Sequence, residues 1–162
     1  MFAIDNFNID VACDKPFAEI REALLDEAFH EVAPCPDDFT LAYIECALWS
    51  SHDESTPDGG EPMDANYDID DLAPETLRKM IDDCRDFQRG EAELLAQYAE
   101  VMQSEEWNAD ERAGHDFWLT RNGHGAGFWD RGLGQVGDML SKACKPYGSC
   151  DLYVGDDGKI YC

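Results

Sequence analysis

Residues 74–102 read PETLRKMIDDCRDFQRGEAELLAQYAEVM, and this stretch carries the clearest structural pattern in the chain. Pro74 suits the first turn of a helix, where a backbone N–H is not needed, and Glu75 is favourable at the same end. Gly90 interrupts the stretch, so the sequence predicts either one long helix to about residue 103 or two helices with a break. The apolar residues that keep a helical period of 3.6 are Leu77, Met80, Ile81, Cys84, Phe87, Leu94, Leu95, Tyr98, Val101 and Met102.

The chain before this stretch is predicted to contain two more helices and a long loop. A capping Asp, an early Pro and helically spaced apolar residues favour a helix over about 15–32. Asp37 or Asp38 can cap a second helix that ends near Ser50. Residues 51–73 mix Pro and Gly with many acids and predict a loop, and loops of this length are usually functional or mobile.

The last third of the chain has a different pattern, which predicts strands. Residues 115–121 (HDFWLTR) favour a strand, Asn122-Gly123 favours a tight turn, and Phe128-Trp129 can return as the partner strand. A short helix is expected over 133–143. A hairpin with strands at 152–154 and 159–161 should follow. Helices followed by β-β-α-β-β predict the α+β class, with N-terminal acidic helices packed on a small C-terminal antiparallel unit.

Composition divides the chain near residue 111, close to the point where the helical pattern gives way to the predicted strands. Residues 1–111 form an acidic, mainly helical region, and residues 112–162 form a neutral region rich in glycine and aromatic residues. Hydrophobic residues make up 44% of the 162 residues, so a core can form and we expect the two regions to share one compact domain.

The net charge of −24 limits the classes of partner. Bulk repulsion disfavours direct binding of nucleic acid or of an anionic membrane surface. No apolar run of about 18 residues is present, so no membrane-spanning helix is expected. The first ten residues lack the basic and apolar parts of a secretory signal, which predicts a cytoplasmic protein.

Nearly all of this charge lies in one stretch. Residues 22–111 carry a net charge of −22, and residues 22–77 contain no Lys or Arg. Such a surface can offer a DNA-binding groove the potential that the groove is built to receive. A solvated acidic surface without a partner is the alternative. The acids that we assign to partner binding are Asp53, Glu54, Asp58, Glu61, Asp64, Asp68, Asp70, Asp71, Glu75, Asp82, Asp83 and Asp86.

Two metal sites can be considered from spacing. Asp64, Asn66, Asp68, Asp70 and Glu75 occupy ligand offsets of a calcium loop, but Ile69 stands where the loop needs glycine. The seven cysteines are an odd number, and without an export signal we expect them to be reduced. Cys144, Cys150 and Cys162, with His115 or His124, are a weak zinc candidate, and buried thiols are the alternative. We expect no cofactor.

A second candidate site lies within residues 113–134, where polar and aromatic residues are dense. A histidine there can act as a general base, oriented by a carboxylate, while an arginine binds an anion. The alternative is a structural hairpin in which Trp118 and Trp129 pack in the core and Arg131 pairs with a local acid. The candidate pocket residues are His115, Asp116, Arg121, His124, Asp130 and Arg131.

Four segments resemble small accessory proteins encoded by bacteriophages and prophages. They are 43–51 (YIECALWSS), 66–77 (NYDIDDLAPETL), 114–131 (GHDFWLTRNGHGAGFWDR) and 153–161 (YVGDDGKIY). The resemblance implies a protein made in a bacterial cytoplasm and carries over no catalytic residue. Small acidic phage proteins often block host restriction or CRISPR machinery, so the resemblance favours a non-enzymatic inhibitor by analogy.

Three functional hypotheses remain open on the sequence. The first is a phage-encoded inhibitor that mimics DNA and binds a positively charged nucleic-acid-binding protein of the host. The second is a small-ligand or metal-dependent enzyme centred on the His115–Arg131 segment. The third is an acidic accessory protein without mimicry. The long amphipathic helix also leaves a homodimer open.

Overall fold

The computed structural model describes residues 35–55, 60–102 and 108–162. Contacts divide the chain into two compact units, residues 1–35 and residues 36–162. The helix predicted over 15–32 lies outside the described residues, as does Asp58 of the acidic set. The change in charge at residue 111 falls inside a helix of the second unit and does not coincide with the division between the units.

The described part of the second unit is mostly helical, with one small sheet, and belongs to the α+β class. Its helices are α1 (Asp38–Ser50), α2 (Pro74–Gly90), α3 (Ala92–Met102), α4 (Ala109–Arg121) and α5 (Gln135–Ala143). Its strands, β1 (Tyr153–Val154) and β2 (Ile160–Tyr161), pair antiparallel, as the predicted hairpin requires.

The predictions for residues 37–102 are confirmed where the structure describes these residues. Asp37 is the N-cap of α1, since its Oδ1 accepts a hydrogen bond from the Thr40 N–H at 2.9 Å. Of the two alternatives for 74–102, the break is correct, because α2 ends at Gly90 and α3 begins at Ala92. The described residues of 51–73 form no α-helix, only 3-10 turns at Met63–Ala65 and Ile69–Asp71.

The strand predicted over 115–121 is wrong, because these residues belong to helix α4. Asn108 caps this helix: its side chain accepts from the Glu111 N–H at 2.7 Å, and the Glu111 carboxylate accepts from the Asn108 N–H at 3.1 Å. This reciprocal pair satisfies two backbone donors at the helix start. Buried residues lie on several sides of α4, so the sequence shows no one-sided helical period.

The predicted return strand is also wrong, and the turn at Asn122-Gly123 ends α4 instead of joining two strands. Gly123 has a φ of 69° and ends α4, with its N–H bonded to Thr120 O at 3.3 Å and the His124 N–H bonded to Leu119 O at 3.0 Å. This pair of bonds is a Schellman cap, which needs the left-handed region that glycine favours. The return segment is a 3-10 turn, Phe128–Asp130. The predicted β-β-α-β-β unit is therefore reduced to α5 and the final hairpin.

The core is aromatic and is built around the crossing of α1 and α4. The Phe87 and Phe117 rings stack with centroids 4.1 Å apart. The centroid of the Phe39 ring lies within 6.2 Å of both of these centroids. A Cβ on Gly114 would lie 2.0 Å from the Phe39 carbonyl oxygen, so only glycine allows this approach of the two helices. Trp118 is buried as expected, whereas Trp129 is 51% exposed, contrary to the structural alternative.

None of the described helices combines the length and the apolar character that crossing a membrane requires.

Candidate functional site

The acidic segment, residues 53–75, carries nine acids and no Lys or Arg. Its described part is anchored by Met63, Leu72 and Ala73, which are 0–4% exposed. Residues 51–53 also run antiparallel to 61–63, with the Asp53 N–H donating to Glu61 O at 3.0 Å. The segment is therefore held to the core while most of its described charged side chains face outward, although Asp70 Oδ1 is buried. The exposed acids are Glu54, Glu61, Asp64, Asp68 and Glu75, and the partly exposed acids are Asp53, Asp70 and Asp71.

Three acids of this segment also stabilise its local structure. Asp68 Oδ1 accepts from the Asp70 N–H at 2.9 Å, and Asp71 Oδ2 accepts from the Asp68 N–H at 3.0 Å, so the two carboxylates close a capping box. Hydrogen bonds from Ser55 hold the pKa of Asp53 below its ordinary value. Hydrogen bonds within the segment hold these three carboxylates in place, and each of them remains at least partly exposed to solvent.

Three acids of α2 have a different environment, because each is near a base. The Lys79 ammonium nitrogen lies 2.6 Å from a carboxylate oxygen of Asp83. Guanidinium nitrogens of Arg89 and Arg85 lie 2.7 Å and 3.9 Å from carboxylate oxygens of Asp86 and Asp82. The exposed face of α2 therefore carries both signs. Of the predicted acids that the structure describes, Asp82, Asp83 and Asp86 are paired with bases on α2, whereas the acidic segment contains no Lys or Arg of its own.

Arg121, at the end of α4, is committed to internal contacts. Its side chain is 1% exposed and donates to Asp83 Oδ2 at 2.9 Å and to the Tyr43 hydroxyl at 2.5 Å. It also donates to the carbonyls of Tyr147 and Gly148 at 2.7 and 2.8 Å. Because these contacts occupy most of its N–H donors, Arg121 ties helices together and does not offer a charge to an anion.

Asp116, in the middle of α4, is fully buried and forms a second internal cluster. It accepts from Arg131 Nε at 2.9 Å and Nη2 at 2.5 Å, and from the Tyr98 hydroxyl at 2.8 Å. Burial, and then the charge of Asp116, raise the pKa of Tyr98, so this hydroxyl stays protonated as a donor. The bidentate geometry fits an Arg–carboxylate pair that holds the 128–134 segment against α4.

The two histidines of the predicted pocket lie in different surroundings. The His115 ring lies 6.0 Å from the exposed Trp49 ring, and burial lowers the pKa of His115. His124 lines an open cleft, and Asp130 is exposed. The six predicted pocket residues therefore do not converge on one site. Sequence reasoning missed Tyr43 and Tyr98, whose partners lie far away in the chain.

The cleft that contains His124 has a volume of about 610 Å³. It lies between the end of α1, the end of α4 and the chain entering β1. Its walls are fixed, because Trp118 Nε1 donates to Ser50 Oγ at 2.7 Å and the Cys150 N–H donates to Asn122 Oδ1 at 2.7 Å. Its described lining also includes Ser51, His52, Glu54, Ser55, Asp151, Leu152, Tyr153 and Val154.

The cysteines correct two expectations. Cys150 and Cys162 form a disulfide, so the expectation that all cysteines are reduced is wrong for this pair. The zinc candidate fails for the same reason, since these two sulfurs are bonded to each other. Cys144 is buried and its thiol donates to Leu140 O at 3.1 Å; burial raises the pKa of Cys144 to about 12.

The calcium candidate is not supported by the fold. Among the residues that the structure describes, no group of three or more His, Cys, Asp or Glu side chains is placed to hold a metal ion. The alternating acids from Asp64 to Asp70 cross two separate 3-10 turns and do not wrap around a common centre.

Searches against models of protein families, curated proteins and solved structures found no match to this chain.

Proposed function

We propose that this protein is a non-enzymatic inhibitor that binds a positively charged nucleic-acid-binding protein through the acidic segment and occupies its nucleic-acid groove. The resemblance to phage accessory proteins makes a restriction or CRISPR complex of a bacterial host the first partner to test. The observation that carries the proposal is the run of exposed acids on a core-anchored segment that contains no Lys or Arg.

The placement of these acids supports mimicry better than general solubility does. A surface that serves solubility alone mixes both signs, as the exposed face of α2 does. The acidic segment does not mix them, and the self-repulsion of its carboxylates is tolerated. One base approaches it from outside: Lys159 Nζ donates to the Asp70 carbonyl at 2.9 Å.

The internal clusters also favour a binding protein over the proposed enzyme. Catalysis at the His115–Arg131 segment would need an acid, a base and a cation that face one substrate. Asp116 and Arg131 bind each other, and Arg121 binds Asp83 and Tyr43. These side chains therefore bind one another and hold the helices in place.

The test compares two charge reversals of equal size. Glu61→Lys with Asp64→Lys reverses two exposed acids of the acidic segment that take no part in its capping box. The control, Glu93→Lys with Glu100→Lys, reverses two exposed acids on α3 and gives the same net charge. We expect the first variant to bind the basic partner at least about tenfold more weakly than the control does, because steering and complementarity depend on where the charge lies.

Equal weakening by both variants would mean that only net charge matters, and it would contradict mimicry by the acidic segment. Circular dichroism of both variants establishes that the fold is retained. Reversing Asp68 or Asp71 is less informative, because these residues also cap the turn at Ile69–Asp71.

A further inference from the structure

We propose that the 610 Å³ cleft beside β1 binds an extended, positively charged peptide segment, which adds to β1 as a further strand. The inference deepens the proposed function, because it names the form in which part of the basic partner is held. It rests on the proposed function only for the sign of the partner's charge.

Val154 of β1 lines the cleft and has backbone groups that the hairpin does not use. Ile160 accepts from the Ala73 N–H at 2.9 Å, so its polar groups point away from β1. Val154 is opposite Ile160 in the register. In antiparallel pairs, opposite residues either bond to each other or both point outward. Val154 therefore directs its N–H and C=O to the other edge, where it lines the cleft.

The hydrogen bonds at the end of the hairpin give the same alternation. The Gly155 N–H donates to Lys159 O at 2.8 Å, so Gly155 belongs to a bonded pair. The next pair along the strands, Val154 and Ile160, is then a non-bonded pair, and Tyr153 bonds to Tyr161. Among the described residues, none makes a hydrogen bond with the outward backbone groups of Val154.

A second segment that lines the cleft has the same property. Residues 51–53 pair with 61–63 through Ser51 O and the Asp53 N–H, at 2.9 and 3.0 Å. His52 lies between these two bonds, so its own N–H and C=O point away from 61–63. His52 also lines the cleft. Two extended segments therefore line the cleft. One is β1, which pairs with β2, and the other is residues 51–53, which pair with residues 61–63.

Charge selects the class of peptide. The described lining of the cleft contains two carboxylates, Glu54 and Asp151, and no Lys or Arg. Both carboxylates are exposed, so they can meet cationic side chains that alternate along a strand. An acidic peptide would meet these two charges as well as the field of a chain with net charge −24.

The test uses a defined probe, the peptide acetyl-KVKVKVK-amide, with the intact protein. Hydrogen exchange followed by NMR reports each amide separately. We expect exchange of the Val154 and His52 amides to slow by about tenfold or more when the peptide is bound, because each gains a hydrogen bond. The Tyr153 amide, already paired with Tyr161, should change little. Binding without protection of the Val154 and His52 amides would overturn strand addition.

Two further peptides examine the cause of binding. N-methylation of alternate residues in KVKVKVK, made in both registers, should weaken binding in either register, since one set of peptide N–H groups faces Val154 and the other set faces His52. The acidic peptide acetyl-EVEVEVE-amide should not bind. Full binding by either methylated peptide would contradict backbone pairing on the edge that it blocks, and binding by the acidic peptide would contradict the charge assignment.

A matched pair of proline variants tests the edge from the protein side. Val154→Pro removes an outward N–H and keeps the bonds of Tyr153 to β2. Asp156→Pro, the control, places proline at the second position of the 155–158 turn, which accepts it. We expect about tenfold weaker peptide binding for Val154→Pro and less than twofold change for the control. If Val154→Pro unfolds the hairpin, the exchange pattern of the native protein decides.

The two proposals can fail separately. If the Glu61→Lys and Asp64→Lys variant loses the basic partner but the peptide protects no amide at Val154 or His52, the cleft inference is wrong and the proposed function stands. If the peptide protects both amides and neither charge reversal affects partner binding, the cleft inference stands and mimicry by the acidic segment is wrong.

Discussion

At the residue scale, the most informative side chains are the buried charges Asp116 and Arg121. The sequence places two arginines and two aspartates within residues 114–131, and this density allows either a pocket or a set of internal pairs. The choice depends on partners that are distant in the chain, since Arg121 meets Asp83 and Tyr43. Single-sequence patterns contain no information on such partners, so the candidate site could be predicted only as a list of residues.

The pair of Asp116 and Arg131 gives a prediction for stability. Arg131→Met removes the guanidinium and leaves the fully buried carboxylate with only the Tyr98 hydroxyl as a described donor. We expect the free energy of unfolding to fall by about 3 kcal/mol, measured by urea denaturation at pH 7. The double variant with Asp116→Asn should recover part of the loss. A loss below about 1 kcal/mol would contradict the structural role of the pair.

The N-cap of α1 gives a prediction for pH. Burial alone raises the pKa of Asp37, but hydrogen bonds from Thr40 and Gln88 outweigh it, so folding lowers this pKa below 3.8. The ionised carboxylate therefore stabilises the fold above the unfolded pKa of about 4, and this contribution is lost as the pH falls towards the folded pKa. Asp37→Asn should lose less stability than the native protein between about pH 5 and pH 3.

The same position offers a control for the hydrogen bond itself. Asp37→Ala, which cannot cap, should lower the free energy of unfolding at pH 7 by about 1 kcal/mol, whereas Asp37→Asn keeps most of the cap. Identical acid profiles for the native protein and Asp37→Asn would show that Asp37 does not contribute to the pH dependence.

At the element scale, α2 was predicted from the period of its one buried face, and α1, which is buried on several sides, from its capping Asp, whereas α4 was not predicted. The break after Gly90 and the final hairpin follow from period and turn residues. Helix α4 does not, because its buried residues lie on several sides and leave no period of 3.6. The spacing Asn108-x-x-Glu111 was the available evidence for its start, and Asn122-Gly123 was read as a hairpin turn although it ends this helix.

The crossing of α1 and α4 gives a prediction with a matched control. Gly114→Ala would place a Cβ 2.0 Å from the Phe39 carbonyl oxygen, so the helices must separate. We expect the free energy of unfolding to fall by about 2 kcal/mol. Gly90→Ala, at the exposed end of α2 with no atom within 4 Å, should raise it by about 0.5 kcal/mol. Equal effects in urea denaturation would contradict the close approach.

At the scale of the whole molecule, charge is the property that the sequence predicts best. The net charge and its concentration in residues 22–111 can be read directly. Which acids are paired cannot be read, because the bases of α2 neutralise Asp82, Asp83 and Asp86 through contacts that depend on the helix and on its neighbours. The structure thus restricts the predicted surface to the acidic segment.

Self-repulsion among the acids predicts that salt stabilises the isolated protein. Exposed charges interact over about 30 Å at 10 mM salt, and salt screening shortens this distance to about 10 Å at 100 mM. We expect the Tm to rise by a few degrees from about 10 to about 300 mM KCl, because repulsion is screened more than the buried pairs are. The Glu61→Lys and Asp64→Lys variant should show a smaller rise. A Tm that falls with KCl would contradict this balance of charges.

Under the proposed function, the acidic segment competes with nucleic acid for a basic groove. The most direct measurement is capture of proteins from a bacterial lysate on the immobilised chain, followed by elution with duplex DNA at constant salt. We expect to capture a nucleic-acid-binding protein that DNA releases and that the Glu61→Lys and Asp64→Lys variant does not bind, while the Glu93→Lys and Glu100→Lys control retains it. An empty column, or a captured protein that DNA does not displace, would contradict the account.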